Sequence, residues 1–152
     1  MKISTKGRYA LRLMLVLAGA EPQQFISIKQ ISEQEDISRK YLEQIMIKLI
    51  HANLVKSSRG AQGGYSLVRA PEEYTVGEIL RLTEGSLSPV ACAEYDDPMT
   101  MCKRADQCLT LQVWQKMSQA INETVDQITL ADLLKDPNSA FLSAGSEEGN
   151  EP

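Results

Sequence analysis

The chain has 152 residues, 43% hydrophobic and 24% charged, with a formal net charge of −4, which suits one soluble domain, or a small domain with an appendage, and is long enough to bury a core. No stretch approaches the ~20 uninterrupted apolar residues of a membrane helix, and Arg8 and Arg12 interrupt "MKISTKGRYALRLMLVLAGA", so that run reads as an amphipathic helix and not as a signal peptide. The net charge hides a split: residues 1–70 carry eleven Lys/Arg against five Asp/Glu, and residues 71–152 carry five against fifteen. A basic first half in an acidic chain points to a polyanion-binding module. The expected location is the cytoplasm, where thiols stay reduced, and three cysteines are an odd number for a disulfide framework.

Taken in chain order, Ser4 or Thr5 can cap a first helix with Ala10, Leu13, Met14 and Leu17 on one face, ended by Gly19. Ser27-x-x-Gln30 is a capping-box pattern and predicts a short helix from about Ile28 to Glu35. After Asp36-Ile37, Ser38 caps "RKYLEQIMIKLIHA", whose apolar stripe is Leu42, Ile45, Met46 and Leu49. Two short helices joined by a tight turn form a helix-turn-helix candidate. Leu54–Ser57 and Tyr65–Val68 read as strands flanking a loop with Arg59, Gly60, Gly63 and Gly64, which makes a hairpin wing with a basic, glycine-rich tip. "TVGEILRLTEG" predicts another helix, closed by Gly85. The segment from Cys92 to Cys108 has no period and reads as a loop. "LTLQVWQKMSQAINETVDQI" restores helical spacing through Trp114, Met117, Ile121, Val125 and Ile128, and "TLADLL" adds a terminal helical turn or two.

The fold class expected is mainly α with a small β-hairpin: a winged helix-turn-helix domain over residues 1–85, a cysteine-containing loop over 86–108, and a long helix with a terminal turn over 109–135. The polar segment 136–152 is expected to be disordered.

In a helix-turn-helix the second helix enters the major groove and offers its outer face to base edges. Here that face carries Arg39, Lys40, Glu43, Gln44, Ile47 and Lys48, with Ser38 and Tyr41 at its start. Arg pairs with guanine, Gln with adenine and Glu with cytosine. Lys2, Lys6, Arg8, Lys40 and Lys48 suit phosphates. Arg59 can probe a minor groove, and Gly60, Gly63 and Gly64 allow close backbone approach. An enzyme is not expected, because one histidine, no Ser/His/Asp set and no phosphate loop leave no catalytic constellation.

Cys92-x9-Cys102-x5-Cys108 lacks the paired C-x2-C knuckles of structural zinc sites. Thiolates favour zinc, copper(I) and iron–sulfur clusters, and a flexible loop with uneven spacing can wrap a [2Fe–2S] cluster, which needs four ligands.

With these motifs placed, the chain resembles the Rrf-two superfamily of bacterial winged helix-turn-helix regulators, and within it the iron–sulfur cluster regulator (IscR-like) type. The segments that carry the resemblance are "KGRYALR" at Lys6–Arg12, "ISRKYLEQI" at Ile37–Ile45, "NLVKSSRG" at Asn53–Gly60, "GGY" at Gly63–Tyr65, "VGEILRLTEG", and "CLTLQVW" at Cys108–Trp114. It spans roughly residues 1–135. The resemblance implies a homodimer on a palindromic or pseudo-palindromic site in double-stranded DNA, with the long C-terminal helix crossing to the partner. It further implies that Glu43 discriminates between operator classes, that Arg59 enters the minor groove, and that Cys92, Cys102 and Cys108 hold a [2Fe–2S] cluster. The function implied is a repressor that senses cluster status and controls cluster assembly or related iron and redox genes.

The chain departs from that pattern in three places. The histidine that stands three residues after the last cysteine in the iron–sulfur regulator is Leu111 here, and the gap between the first two cysteines is wider. The acidic residue that completes the set in nitric-oxide-sensing relatives corresponds to Arg8. His51, at the end of the recognition helix, reads as a surface or hinge residue. The fourth ligand is left open among Glu94, Asp96, Asp97, Asp106, a partner-subunit residue and an exogenous thiol or water. The other readings are a thiol- or zinc-based redox regulator and a cysteine-metabolism regulator acting with a protein partner.

Overall fold

Each helix of the N-terminal half begins where a hydroxyl side chain can hold its first turn. In the computed structural model, which describes residues 1–94 and 102–135, α1 (Thr5–Ala18) starts at Ser4, whose Oγ accepts from the Gly7 N–H at 3.1 Å. α2 (Ile28–Glu35) starts with the expected capping box: Ser27 Oγ accepts from Gln30 N–H at 3.2 Å, and Gln30 Oε1 accepts from Ser27 N–H at 3.0 Å. Asp36 then turns left-handed, with φ 53°, and Ser38 caps α3 (Arg39–His51) by accepting from Tyr41 N–H at 3.3 Å. Between the two helices the Ser32 hydroxyl donates to the Ile37 carbonyl at 2.6 Å, which holds the turn. The predicted tail over 136–152, and Asp96 and Asp97 of the cysteine loop, lie outside the described residues.

The hairpin consists of β1 (Val55–Ser58) and antiparallel β2 (Gly64–Leu67), with Val55 opposite Leu67 and Ser58 opposite Gly64. Both strands lie one residue away from the expected Leu54–Ser57 and Tyr65–Val68. The reason is that Leu54 belongs to the exit from α3: its N–H donates to the Leu49 carbonyl at 2.9 Å and its carbonyl accepts the Tyr74 hydroxyl at 2.7 Å. Ile26 exchanges two backbone hydrogen bonds with Tyr65, each 2.9 Å, and so ties the segment before α2 to the wing by a single antiparallel bridge. A side chain at Gly64, whose φ is 153°, would strike the Ile26–Ser27 backbone. This glycine is therefore required inside the fold.

α4 (Val76–Glu84) is capped by Thr75 and ended by Gly85 at φ 80°. After the cysteine loop come α5 (Leu111–Gln127) and α6 (Leu130–Lys135). The chain returns here to the head: Val76 N–H donates to the Ile128 carbonyl at 2.9 Å, and Leu130 N–H to the Tyr74 carbonyl at 3.0 Å. α6 consequently packs on α1 and sends Leu130, fully buried, into the main core beside Leu13, Met14, Leu42, Ile45 and Leu49. A second cluster forms where Val76, Leu80 and Leu87 meet Ile121, Val125 and Ile128. Across that contact the Arg81 guanidinium binds Asp126 (2.6 and 2.8 Å) and Asn122 (2.7 Å). Gly77 lets the helices approach, since a Cβ there would meet Asp126 and Val125.

Tyr74 is the polar anchor of the head. It is fully buried, and its hydroxyl donates to Leu54 and accepts from the N–H groups of Val68 (3.0 Å) and Arg69 (2.9 Å). One side chain thus serves three backbone groups, two of which, the Val68 N–H and the Leu54 carbonyl, also pair with each other at 3.3 Å. The Arg69 guanidinium lies over the same ring at 4.3 Å and pairs with Glu78 at 2.7 Å.

Candidate nucleic-acid interface

α3 is divided by its own periodicity. Leu42, Ile45, Met46 and Leu49 are buried, each at most 1% exposed, while Arg39, Lys40, Glu43, Gln44, Ile47 and Lys48 are all exposed. At 100° per residue these six fill the half-circle that the core leaves open. Ser38 and Tyr41 occupy the helix start with structural bonds of their own: Ser38 is the cap, and half-buried Tyr41 meets Tyr9 edge-on at 5.6 Å between centroids. That aromatic contact sets the beginning of α1 beside the beginning of α3. It brings the N-terminal cations, exposed Lys2 and Arg8 and half-buried Lys6, to the same end of the recognition helix. Arg12 secures the arrangement by donating to the Glu35 carboxylate and carbonyl, both at 2.7 Å.

The wing tip, residues 59–63, carries Arg59 and Gly60 fully in the open, with Gly60 at φ 107°. Gly63 and Gly64 are half-buried, and a Cβ at Gly63 would meet the Ser58–Gly60 backbone. Their lack of side chains thus already serves the turn and the Ile26 contact. His51 is exposed in the last turn of α3.

The cysteines sit in a different environment. Cys92 is half-buried in a single 3-10 turn over Ala91–Ala93, Cys102 is exposed, and Cys108 is half-buried; all three are free thiols. The Cys108 sulfur lies 3.4 Å from the Thr110 hydroxyl. That contact, reinforced by the Thr110 and Leu111 N–H groups and the charge of Arg104, holds the Cys108 thiol below its ordinary pKa. Among the described residues no three His, Cys, Asp or Glu side chains are gathered closely enough to hold a metal ion. As a donor set, three free thiols in one loop suit a thiolate-bound iron–sulfur group. Such a group takes four ligands, and Leu111, half-buried at the first position of α5, has no donor atom to offer as a fourth.

One residue that links the head to the cysteine loop was not visible in the sequence. Glu84, the last residue of α4, accepts from the Ser4 hydroxyl at 2.6 Å and from the Ser4 N–H at 3.3 Å. It thereby ties the origin of the cysteine loop to the first turn of α1. Gly7 in "KGRYALR" makes room for it, because a Cβ there would collide with the Glu84 carboxylate. The partners are 80 residues apart, and only the unexplained glycine could have hinted at the contact. Among the described residues no helix is long and apolar enough to cross a membrane.

Comparison with known proteins agrees with this arrangement. A family model described as "Rrf2: Iron-dependent Transcriptional regulator" matches residues 3–136. The chain is 42% identical to the HTH-type transcriptional regulator CymR of Bacillus subtilis over 133 residues, which is 88% of this chain and 89% of that one. The solved structure of that protein, the global cysteine regulator of B. subtilis, superimposes with a TM-score of 0.71 at 41% identity, covering 88% of this chain and 95% of the other. The structure of IscR from T. potens superimposes with a TM-score of 0.70 at 38% identity, covering 100% and 94%. A mainly helical head with an antiparallel hairpin is common to these winged-helix regulators, and the chain belongs to the Rrf2 family of DNA-binding transcriptional regulators.

Proposed function

We propose that the protein is a cytoplasmic, homodimeric repressor that reports iron–sulfur cluster status, with Cys92, Cys102 and Cys108 as the ligands its chain offers to a [2Fe–2S] cluster. The observation that carries this reading is the placement of the thiol loop. It leaves α4 at Gly85, directly after the Glu84 that holds Ser4, and it ends at Cys108, three residues before α5 begins. A bound cluster would supply a group sensitive to oxidation and to iron and sulfide supply. The chain's own residues do the rest. Drawing the three sulfurs together sets the spacing between the end of α4 and the start of α5. Glu84 passes a shift at the end of α4 to the first turn of α1, and Arg81 passes it to Asn122 and Asp126 of α5. Such coupling changes DNA affinity only as far as the two loop states differ in the interface they present.

On the DNA side, Arg39, Lys40, Glu43, Gln44 and Lys48 enter the major groove with Ser38 and Tyr41 at the helix start. Arg59 reaches a minor groove from the wing tip, where Gly60, Gly63 and Gly64 keep the backbone slim. Lys2, Lys6 and Arg8 neutralise phosphates. A dimer closed through α5 spaces two such heads by about 34 Å, one DNA turn. Leu109, Val113 and Met117, which are 94%, 50% and 44% exposed, supply the apolar surface for that closure.

Anaerobic purification followed by absorption spectra, iron and sulfide analysis, and DNA binding in both states tests the reading. A coloured protein that loses its chromophore when Cys92, Cys102 or Cys108 is replaced by Ala is expected. A colourless protein with no iron or sulfide after anaerobic reconstitution would sink the cluster assignment.

The similarity to CymR, 42% identical, favours one second reading. In it the same loop responds through bare thiols or zinc, or the head acts with a protein partner in cysteine metabolism. Zinc or reversible thiol oxidation in place of iron, with DNA affinity following that state, distinguishes it.

A further inference from the structure

Ile47 is 55% exposed and packs against neither apolar cluster of the molecule. Its direction is defined by the helix. The buried stripe of α3 is Leu42, Ile45, Met46 and Leu49, and at 100° per residue Ile47 lies within about 30° of the direction opposite that stripe. Arg39 and Glu43 precede it on the same ridge at i−8 and i−4, while Lys40, Gln44 and Lys48 flank it. A bulky aliphatic side chain thus occupies the middle of an otherwise charged and polar face, turned away from the core. Nothing among the described residues uses it there: α3 would be at least as stable with Ala at this position, since a β-branched residue is the weaker helix former.

The major groove gives such a side chain one partner. Every base edge on the groove floor presents hydrogen-bonding groups, and the single apolar group is the C5-methyl of thymine. An isoleucine pressed against any other edge desolvates donors or acceptors and returns no hydrogen bond. Against the methyl group it removes apolar surface from water on both sides.

We infer that Ile47 reads thymine: its side chain contacts a C5-methyl group in each half-site, which makes it a specificity-determining residue of the recognition helix. The inference rests on the proposed major-groove role of α3 and adds the base that this position selects. Glu43 and Gln44, one turn earlier, read neighbouring pairs by hydrogen bonding, and Ile47 reads by shape and apolar contact alone.

Replacing thymine by deoxyuridine removes only that methyl group and leaves every hydrogen-bonding atom of the base in place. Duplexes are first selected from a random pool by the wild-type dimer. The affinity of the wild type and of Ile47→Ala is then measured on the selected duplex and on versions carrying uracil at each thymine in turn. One symmetry-related thymine pair is expected at which uracil weakens wild-type binding. The loss is about fourfold per half-site, equivalent to roughly 0.8 kcal/mol per buried methyl group, and about fifteenfold when both half-sites are changed. Ile47→Ala, folded as judged by its circular dichroism and melting curve, should bind the thymine duplex that much more weakly and show no preference between thymine and uracil. Wild-type affinity that is the same with uracil at every position would overturn the inference. So would an Ile47→Ala protein that keeps the full thymine preference, since another residue would then own it. Selection that enriches no duplex, with binding that does not fall as salt rises, would overturn the DNA-binding reading of α3 itself.

Discussion

α3 and α5 are both amphipathic helices of similar length, 13 and 17 residues, yet they are buried in opposite ways. α3 places four side chains in the core, each at most 1% exposed, whereas in α5 only Ser118 is buried. The difference lies in what each stripe finds to cover it. α3 is surrounded by α1, α2 and the hairpin, all formed by chain close to it in sequence. The C-terminal half of α5 finds α4, where Ile121 and Val125 join Val76 and Leu80. Among the described residues the preceding stretch finds no such cover, and Leu109, Val113 and Met117, spaced i, i+4, i+8, remain exposed. Exposed apolar surface forgoes about 25 cal/mol per Å², so a stripe kept this way is the part of the molecule shaped for a second surface. Two helices with the same kind of pattern therefore serve different ends: one stabilises the head, and the other, in the proposed dimer, joins two heads together.

The sharpest way to break this comparison is to truncate each stripe. Leu49→Ala in α3 should lose about 2–5 kcal/mol in urea unfolding, because a fully buried side chain leaves a cavity. Met117→Ala in α5, measured in the monomer, should stay within about 0.5 kcal/mol. Equal losses at the two sites would mean that α5 is as much core as α3.

The paired change Val113→Glu with Met117→Glu should weaken self-association at least about a hundredfold in sedimentation, roughly 2.7 kcal/mol. Its far-ultraviolet circular dichroism should be unaltered. A dimer that survives it would place the second surface elsewhere.

Tyr74→Phe removes the hydroxyl that serves Leu54, Val68 and Arg69, and takes from the Arg69 N–H the partner it has at 2.9 Å. About 1–3 kcal/mol of stability should be lost, with hydrogen exchange accelerating at Val68 and Arg69 before the rest of the hairpin. Glu84→Ala should cost only about 1 kcal/mol, the value of a helix cap. Its more telling effect is on the link between regions: the difference in DNA affinity between the two states of the cysteine loop should shrink, while head affinity in one state is retained.

The smallest effect concerns pH. Asp132 accepts from the Thr129 N–H (3.0 Å) and hydroxyl (2.8 Å) at the start of α6, and these bonds hold its carboxyl below the ordinary range. A depressed folded-state pKa contributes stability that is complete above the unfolded value, about 3.9, and disappears as pH falls through the folded one. Melting temperature should accordingly fall more steeply for the wild type than for Asp132→Asn below about pH 4. The two profiles should run parallel at neutral pH.

Much of the head was legible because its signals are short-range. Ser4, Ser27 with Gln30, and Ser38 each announce a helix through a bond that closes within three residues, and all three caps form. The stripes of α1 and α3 were readable for the same reason, since helical spacing repeats every turn. The α5 stripe was only partly readable. Periodicity selected Trp114, Met117, Ile121, Val125 and Ile128 but could not tell which of them α4 would cover, and it passed over Leu109 and Val113. The strand ends were missed by one residue because Leu54 is claimed by Tyr74, a partner 20 positions away.

By itself, then, the amino-acid sequence determined the order of helices and hairpin, the polar face of α3, the basic head and the three thiols in one loop. These depend on caps, periodicity and composition, which are properties of neighbouring residues. Only the tertiary structure decided that Glu84 holds Ser4, that Arg81 holds α5 and that α6 returns to the core. Those depend on which distant segments meet, and a contact across 45 or 80 residues leaves no local pattern, because its energy is realised only once the intervening chain has folded.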